Sequence, residues 1–252
     1  MSDASSAQVR PQSHGDARYL AAHLYAAEVN GAAVLLDLLS LQYYAVDAQS
    51  LSALRANVVD WPCSRAAPHG RDSIGASAAS SLDSLTAKGF LSSSRPERLF
   101  SHRGTAAITA CHPVWDMRAS PSETLRMLCR LLSAYVTTMV YIRRKHVAPL
   151  LTRIAPLGSI YADQCVAPSK ERLVTLVTLY AKLRVWFYTA KHRCLFDSLV
   201  LLAVLQKYAI PARLTIGVSS RPFSAHAWIQ VSDCVIDDSV EHVREYTPIL
   251  VA

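Results

Sequence analysis

Residues 192–205 read HRCLFDSLVLLAVL, in which a cysteine follows basic residues at the head of a strongly apolar segment. The apolar residues are too dense for one face of a surface helix, so we expect a buried helix that begins at Cys194. The positive end of the helix dipole and the cations Lys191 and Arg193 would favour the thiolate form of this cysteine. A free cysteine is more often a packed small hydrophobe, and on local grounds alone that interpretation competes for Cys194.

The residues after this helix predict antiparallel strands. Pro211 ends the helical pattern, and strands are indicated by RLTIGV (213–218), HAWIQV (226–231) and CVID (234–237). A buried helix followed by antiparallel strands is therefore the expected order of the C-terminal part.

A histidine and an acidic residue follow the cysteine along the chain. Alternation puts His226 on the strand face that carries an aromatic and an amide side chain, away from the aliphatic residues. Cysteine, histidine and a carboxylate are the residue types of a thiolate–imidazole pair oriented by an acid. A two-residue turn at 232–233 would put Asp237 on the histidine's face, whereas a three-residue loop or a bulge would put Asp238 there. The pattern leaves the two acids open.

The composition is that of a folded, moderately basic protein. Of its 252 residues, 51% are hydrophobic and 18% charged, and the formal net charge is +7. These values exclude a disordered chain and are compatible with a nucleic acid or an acidic peptide as partner.

The cysteines and apolar runs predict a reducing compartment and no membrane span. The six cysteines form no CxxC pair and no cysteine–histidine cluster at zinc spacing, so we expect free thiols and no metal site. The chain opens with polar residues, and its longest apolar runs are shorter than a bilayer requires. We therefore expect a cytoplasmic protein.

The N-terminal part predicts a compact α+β module. Residues 1–16 read as a disordered tail, and Asn30-Gly31 between apolar runs predicts a tight hairpin. A third strand is expected at 43–46, and Asp47 can cap a short helix. A second helix ends at Lys88-Gly89, a typical stop signal.

The middle of the chain predicts two long helices. Ser120-Pro121-Ser122-Glu123 combines a cap, a first-turn proline and a capping-box glutamate, and the helix should run to about His146. Another helix begins after Pro168-Ser169, with leucines at helical spacing. We interpret both as core or linker helices.

The C-terminal residues resemble a known family. The segments CLFDSLVLL (194–202), PARLTIGVSSRPFSAHAWIQV (211–231) and VIDDS (235–239) resemble the peptidase domain of lasso-peptide maturation B proteins. That family is similar to transglutaminase-like, papain-like cysteine peptidases. The resemblance implies that Cys194 is the nucleophile, His226 the general base and acid, and Asp238 the orienting carboxylate.

The N-terminal module also carries a resemblance. YAAEVNGAAVLLDLLSLQYYAVD (25–47) and KGFL (88–91) resemble the PqqD-like leader-recognition element, a small winged-helix relative. In that family a leader peptide adds as a strand to a sheet edge and rests on a helix. The groove would then lie between the third strand and the second helix. The implied leader-binding residues are Gln42, Tyr43, Tyr44, Val46, Leu82 and Leu85. A small structural subdomain is the alternative interpretation.

Together these observations predict an α+β protein of two parts. Residues 17–105 would form a winged-helix-like leader-recognition domain. Residues 106–252 would form a cysteine peptidase domain with a Cys-bearing helix and an antiparallel sheet, of which 106–165 are a helical linker region.

The implied function is removal of the leader from a ribosomally made lasso-peptide precursor through a thioester. The implied partners are the precursor and an ATP-dependent cyclase resembling asparagine synthetase, and we expect no cofactor of the chain's own. One alternative is acyl transfer from the thioester to an amine. Another is a non-enzymatic leader-binding or DNA-binding scaffold, although neither short N-terminal helix has the basic face expected for nucleic acid.

Overall fold

The computed structural model describes residues 18–59, 61–62, 76–101, 107, 109–155, 168–188 and 193–252, with the side chains of 76–81 excepted. The predicted N-terminal tail, Cys63, Cys165 and Lys191 lie outside the described residues.

The N-terminal module is built on a three-stranded antiparallel meander in the order β2-β3-β4. Its elements are β1 (Tyr19–Leu20), β2 (Leu24–Val29), β3 (Ala32–Asp37), β4 (Gln42–Val46), α1 (Ala48–Asn57), α2 (Ala76–Ala87) and β5 (Leu91–Ser92). The hairpin between β2 and β3 turns at Asn30 and Gly31, whose φ angles are +52° and +79°. Positive φ at both central residues is what a type I′ turn requires. Asp47 caps α1, because its carboxylate accepts from the Ser50 N–H at 2.8 Å.

The middle of the chain is helical, as predicted. It contains α3 (Pro121–Arg143), α4 (Val147–Ile154) and α5 (Lys170–Arg184). The capping box at Ser120 and Glu123 is present. The sequence pattern missed α4, because Pro149 was read as a stop. Proline is tolerated there, since the N–H groups of a first helical turn have no intrahelical partner.

The C-terminal part is a helix on a five-stranded sheet. Its elements are β6 (Thr109–Ala110), α6 (Cys194–Lys207), β7 (Arg213–Ser220), β8 (Phe223–Val231), β9 (Cys234–Val235), α7 (Val240–Val243) and β10 (Thr247–Val251). The sheet order is β10-β7-β8-β9-β6, antiparallel except for the β6–β9 pair. Helix α6 is buried over most of its length and packs on β7 and β8.

The largest hydrophobic core crosses the predicted domain boundary at residue 105. Strand alternation gives the N-terminal sheet two apolar faces. Leu35 packs in a local core with α1 and α2, whereas Tyr25 and Leu36 join the same core as Leu201 of α6 and Leu250 of β10. The N-terminal sheet is therefore packed against the C-terminal part.

Helix α3 is the one helix in the described part of the chain that is long and apolar enough to cross a membrane, with a hydropathy of 1.2. Length and hydropathy alone do not indicate a membrane span, because core helices of soluble proteins can have the same length and hydropathy. Only 22% of its apolar window is buried.

Candidate active site

Cys194 is the first residue of α6 and lies half-buried beside His226 of β8. A hydrogen bond with the His226 side chain is the main cause that lowers the pKa of the thiol, and it outweighs the effect of burial. Backbone hydrogen bonds with Ala227 and Leu195 lower this pKa further. The largest of these influences on the thiol is thus the histidine; Lys191, one of the two cations that the sequence suggested, lies outside the described residues.

His226 bridges the thiol and a carboxylate. Its Nε2 lies 2.5 Å from Oδ2 of Asp238, which leaves Nδ1 for the thiol. Burial of the ring lowers the pKa of His226, but hydrogen bonds to Asp238 and Cys194, and the charges of both, raise it to about 9. The imidazolium form is therefore favoured between a thiolate and a carboxylate.

Asp238 is held by three donors. Besides His226, the Ser239 N–H donates to Oδ1 at 2.7 Å, and Nδ1 of His242 lies 2.8 Å from Oδ2. Burial raises the pKa of Asp238, but these hydrogen bonds outweigh it and lower the pKa to about 2. The carboxylate is thus charged and fixed in orientation.

The structure shows which of the two adjacent acids, Asp237 or Asp238, contacts His226. The turn at 232–233 is the two-residue form, with Val231 paired to Cys234. That register was predicted to bring Asp237 to the histidine, yet Asp238 lies there. The strand argument fails because β9 ends at Val235, so the alternation does not continue to the acids.

Asp237 occupies a different environment. Its carboxylate accepts from the Ile229 N–H at 2.8 Å and from the Ser198 hydroxyl at 2.9 Å. Burial raises the pKa of Asp237 to about 6, although both hydrogen bonds lower it. This acid ties α6 to the sheet.

His242 is a member of the site that sequence reasoning missed. Its ring lies 4.7 Å from the His226 ring, between centroids, and it shares Oδ2 of Asp238 with that residue. The signal available was its spacing of four residues from Asp238 in a segment that Ser239 caps.

One group of side chains in the described part of the chain has ligands suited to a metal ion. Nitrogen or oxygen atoms of His226, Asp238 and His242 lie within 4.8 Å of one another. Imidazole and carboxylate are zinc ligands, but both rings here are hydrogen-bonded to the same oxygen, so a metal would have to displace those contacts. The arrangement suits proton transfer without a metal.

A buried polar network holds the first turn of α6. Asp197 accepts from the hydroxyls of Tyr180 at 2.6 Å and Tyr188 at 2.8 Å, and it pairs with Arg184. Tyr188 stands a few residues before Cys194, where papain-type enzymes often place a glutamine. Its hydroxyl is committed to Asp197, which fixes the start of the helix that carries the thiol.

A groove of about 370 Å³ lies between β4 and α2 in the N-terminal module. Three of the predicted leader-binding residues, Tyr44, Val46 and Leu85, line it, together with Lys88 and Phe90. This is the position that the resemblance implied for the leader.

The other three predicted leader-binding residues are placed differently. Leu82 is only 2% exposed and packs in the core beneath the groove, so its assignment as a lining residue is wrong. Gln42 is exposed and accepts from the Tyr44 hydroxyl at 3.0 Å, outside the groove lining. Tyr43 points to the opposite face of β4, because neighbouring strand residues alternate.

Tyr43 lies within electrostatic range of the Cys194 thiol. Its ring makes an edge contact with Phe223 of β8, with 5.6 Å between centroids. Burial, together with the negative charge of Cys194, raises the pKa of Tyr43 to about 12. Strand β4 therefore presents one face to the groove and the other to the candidate active site.

Comparison with known proteins assigns the C-terminal part to a superfamily. Residues 134–251 match the model of the transglutaminase-like superfamily, whose members are typically cysteine-based peptidases or acyl transferases. No curated protein and no solved structure matches the chain. The match spans Cys194, His226 and Asp238, so residues 134–251 are a transglutaminase-like superfamily domain.

Proposed function

We propose that this protein is a cysteine peptidase that removes the leader peptide from a lasso-peptide precursor. The observation that carries the proposal is that His226 lies 2.5 Å from the Asp238 carboxylate and interacts with Cys194, so that the pKa of the thiol is lowered and that of the imidazole is raised. A thiolate beside an imidazolium supplies both the nucleophile and the acid that amide cleavage needs.

The proposed reaction has two steps. The Cys194 thiolate attacks the carbonyl at the leader–core junction, and the imidazolium of His226 gives its proton to the departing amine, which leaves a leader thioester. The neutral imidazole then takes a proton from water as the water attacks the thioester, which releases the leader as its carboxylic acid and restores the thiolate–imidazolium pair. Asp238 stabilises the imidazolium and keeps Nδ1 directed at the sulfur, and the Cys194 N–H is the natural first donor to the oxyanion.

The leader would approach along β4. Among the described residues β4 pairs with β3 alone, so its other edge has no strand partner there and could pair with a peptide strand. The strand runs from Tyr43, which is within electrostatic range of Cys194, to Val46, which lines the groove. A leader whose C-terminal end reaches Cys194 must therefore run from Val46 towards Tyr43, antiparallel to β4.

The direct test uses the precursor peptide encoded beside this gene. Wild-type protein and Cys194→Ala are incubated with the precursor, and the products are weighed by mass spectrometry. One cleavage between leader and core, absent with Cys194→Ala and kept with Cys129→Ala, is expected. Leader binding without cleavage, even with the cyclase and ATP present, would leave a recognition scaffold.

Acyl transfer to an amine is the second candidate, because the superfamily match includes transferases. The same thioester would be attacked by a primary amine in place of water. Adding a primary amine to the cleavage reaction separates the two: a leader–amine adduct in excess of the free leader acid indicates a transferase.

We further propose that the protein acts in the cytoplasm beside an ATP-dependent cyclase. The new N-terminus of the core is the amine that such a cyclase would join to a side-chain carboxylate. Co-elution of the two purified proteins tests this association. The proposed chemistry needs no cofactor, since the thiol, the imidazole and water supply every group that reacts.

A further inference from the structure

Helix α3 carries apolar side chains on two opposite faces. Its core face consists of the buried residues Met127, Leu131, Ala134 and Thr138. The opposite face, called here the α3 stripe, consists of Leu125, Cys129, Leu132, Val136 and Val140. Four of these are large hydrophobic residues that are exposed to solvent: Leu125 (61%), Leu132 (49%), Val136 (50%) and Val140 (40%). The fold buries one apolar face of α3 and leaves the other in solvent.

The α3 stripe has the shape of a helix-packing seam. Residues 125, 129, 132, 136 and 140 are spaced by four, three, four and four positions. On a helix of 3.6 residues per turn these positions fall within an arc of about 80° over a length of about 22 Å. A narrow stripe of this kind fits the apolar stripe of another helix, as in coiled coils. A continuous exposed apolar row of this length indicates an interaction site.

The charges around the stripe are positive. Arg143, Arg144 and Lys145 are exposed at its C-terminal end, and Arg126 is exposed near its N-terminal end. Glu123 is the one acidic residue in the α3 sequence, and its carboxylate accepts from the N–H and hydroxyl of Ser120. The stripe is therefore rimmed by cations whose complement is an acidic surface.

We propose that the α3 stripe is a docking surface for an acidic amphipathic helix of a partner protein. The stripe supplies the apolar seam, and the cations at both ends select a helix that carries Glu or Asp beside its own seam. This proposal rests on α3 alone and does not depend on the peptidase activity.

Two other occupants fit the observations less well. In a parallel pair of two copies, Arg143, Arg144 and Lys145 would face one another. In an antiparallel pair these three cations would lie beside the N-terminal end of the partner helix, which is itself positive. The acidic residue there, Glu123, already accepts hydrogen bonds from Ser120 in the helix cap. A membrane surface favours a wide apolar face with aromatic residues, and the stripe is narrow and has none.

The test uses a designed helical peptide whose heptads carry Val at a, Leu at d and Glu at e and g. A second peptide has Lys in place of Glu. Binding to the full chain is measured by fluorescence anisotropy at low and high salt. The variants are Leu132→Glu and Val136→Glu in the stripe. Val185→Glu, a substitution of an exposed valine outside the stripe, is the matched control, and thermal unfolding checks that each variant folds.

The acidic peptide is expected to bind the wild type and Val185→Glu, more weakly as salt rises. Loss of one apolar anchor should weaken binding about tenfold to a hundredfold in Leu132→Glu and Val136→Glu. The proposal would be overturned if the basic peptide bound as tightly as the acidic peptide, or if the acidic peptide did not bind. It would also be overturned by self-association in sedimentation that Leu132→Glu abolishes, or by flotation with anionic vesicles that Val136→Glu abolishes.

Discussion

The thiol and the imidazole of the candidate site are shifted in opposite directions from their ordinary pKa values. The pKa of Cys194 is lowered by the hydrogen bond with His226, and that of His226 is raised to about 9 by Asp238 and Cys194. A thiolate–imidazolium pair is therefore the prevailing form between those two values. The pair is lost below the pKa of Cys194, where the thiolate is protonated. It is also lost above the pKa of His226, where the imidazolium is deprotonated.

This pair predicts a bell-shaped dependence of kcat/KM on pH. Cleavage needs the thiolate as nucleophile and the imidazolium as acid, so the basic limb should fall near pH 9 and the acidic limb at the lowered pKa of the thiol. The measurement is kcat/KM for a peptide that spans the leader–core junction, from about pH 5 to about pH 10. Activity that stays level well above pH 9 would show that the ring proton is not required.

The two adjacent acids should respond differently to the same substitution. Asp238→Asn removes the charge that stabilises the imidazolium, so kcat should fall about a hundredfold or more, and the basic limb should move to lower pH. Asp237→Asn leaves the contact between His226 and Asp238 in place. It disturbs the buried contacts with Ile229 and Ser198, which should cost about 1–3 kcal/mol of unfolding free energy. Denaturant unfolding and kcat per folded molecule separate the two effects, and a larger fall in kcat for Asp237→Asn would reverse the assignment.

At the scale of single elements, the groove between β4 and α2 should determine binding of the leader and not the chemistry. Leu85→Glu places a charge in the groove lining, so KM for the full precursor should rise about tenfold while kcat stays the same. The short junction peptide, which lacks the part of the leader that would occupy the groove, should be cleaved as before. Leu39→Glu, at a leucine that is 55% exposed outside the groove, is the matched control. An equal loss with the short peptide would mean that the groove variant damages the catalytic domain.

Elements specified by local chemistry could be predicted from the sequence, and elements specified by distant pairing could not. The Asn30-Gly31 hairpin, the Ser120 capping box and the start of α6 each depend on neighbouring residues. Strand β10 was missed, because it is short and pairs with β7, about thirty residues away along the chain. In the site, helix and strand patterns place Cys194 and His226 on their elements, but their roles follow only from the family resemblance. The choice of acid depends on where β9 ends, which periodicity does not reveal.

At the scale of the whole molecule, the N-terminal sheet completes the core of the catalytic part. Leu36 of β3 belongs to the same buried cluster as Leu250 of β10, and Tyr43 of β4 and Cys194 both pack against that cluster. A leader bound along β4 would thus rest on a strand that is part of the catalytic core. On the proposed function, leader recognition and cleavage would be coupled through this packing.

This shared core predicts one cooperative unfolding transition for the described fold. Leu36→Ala leaves a cavity in the common core, so it should cost about 2–5 kcal/mol and lower the temperature at which cleavage of the short junction peptide is lost. Leu35→Ala is the matched change on the other face of the same strand, in the local core with α1 and α2. If the module and the catalytic domain unfold together, calorimetry shows a single transition for both variants, and the short-peptide activity disappears with it. If the N-terminal module instead unfolds first and alone, Leu35→Ala would produce an additional transition at lower temperature, and cleavage of the short peptide would persist above that transition. The two parts would then be independent domains.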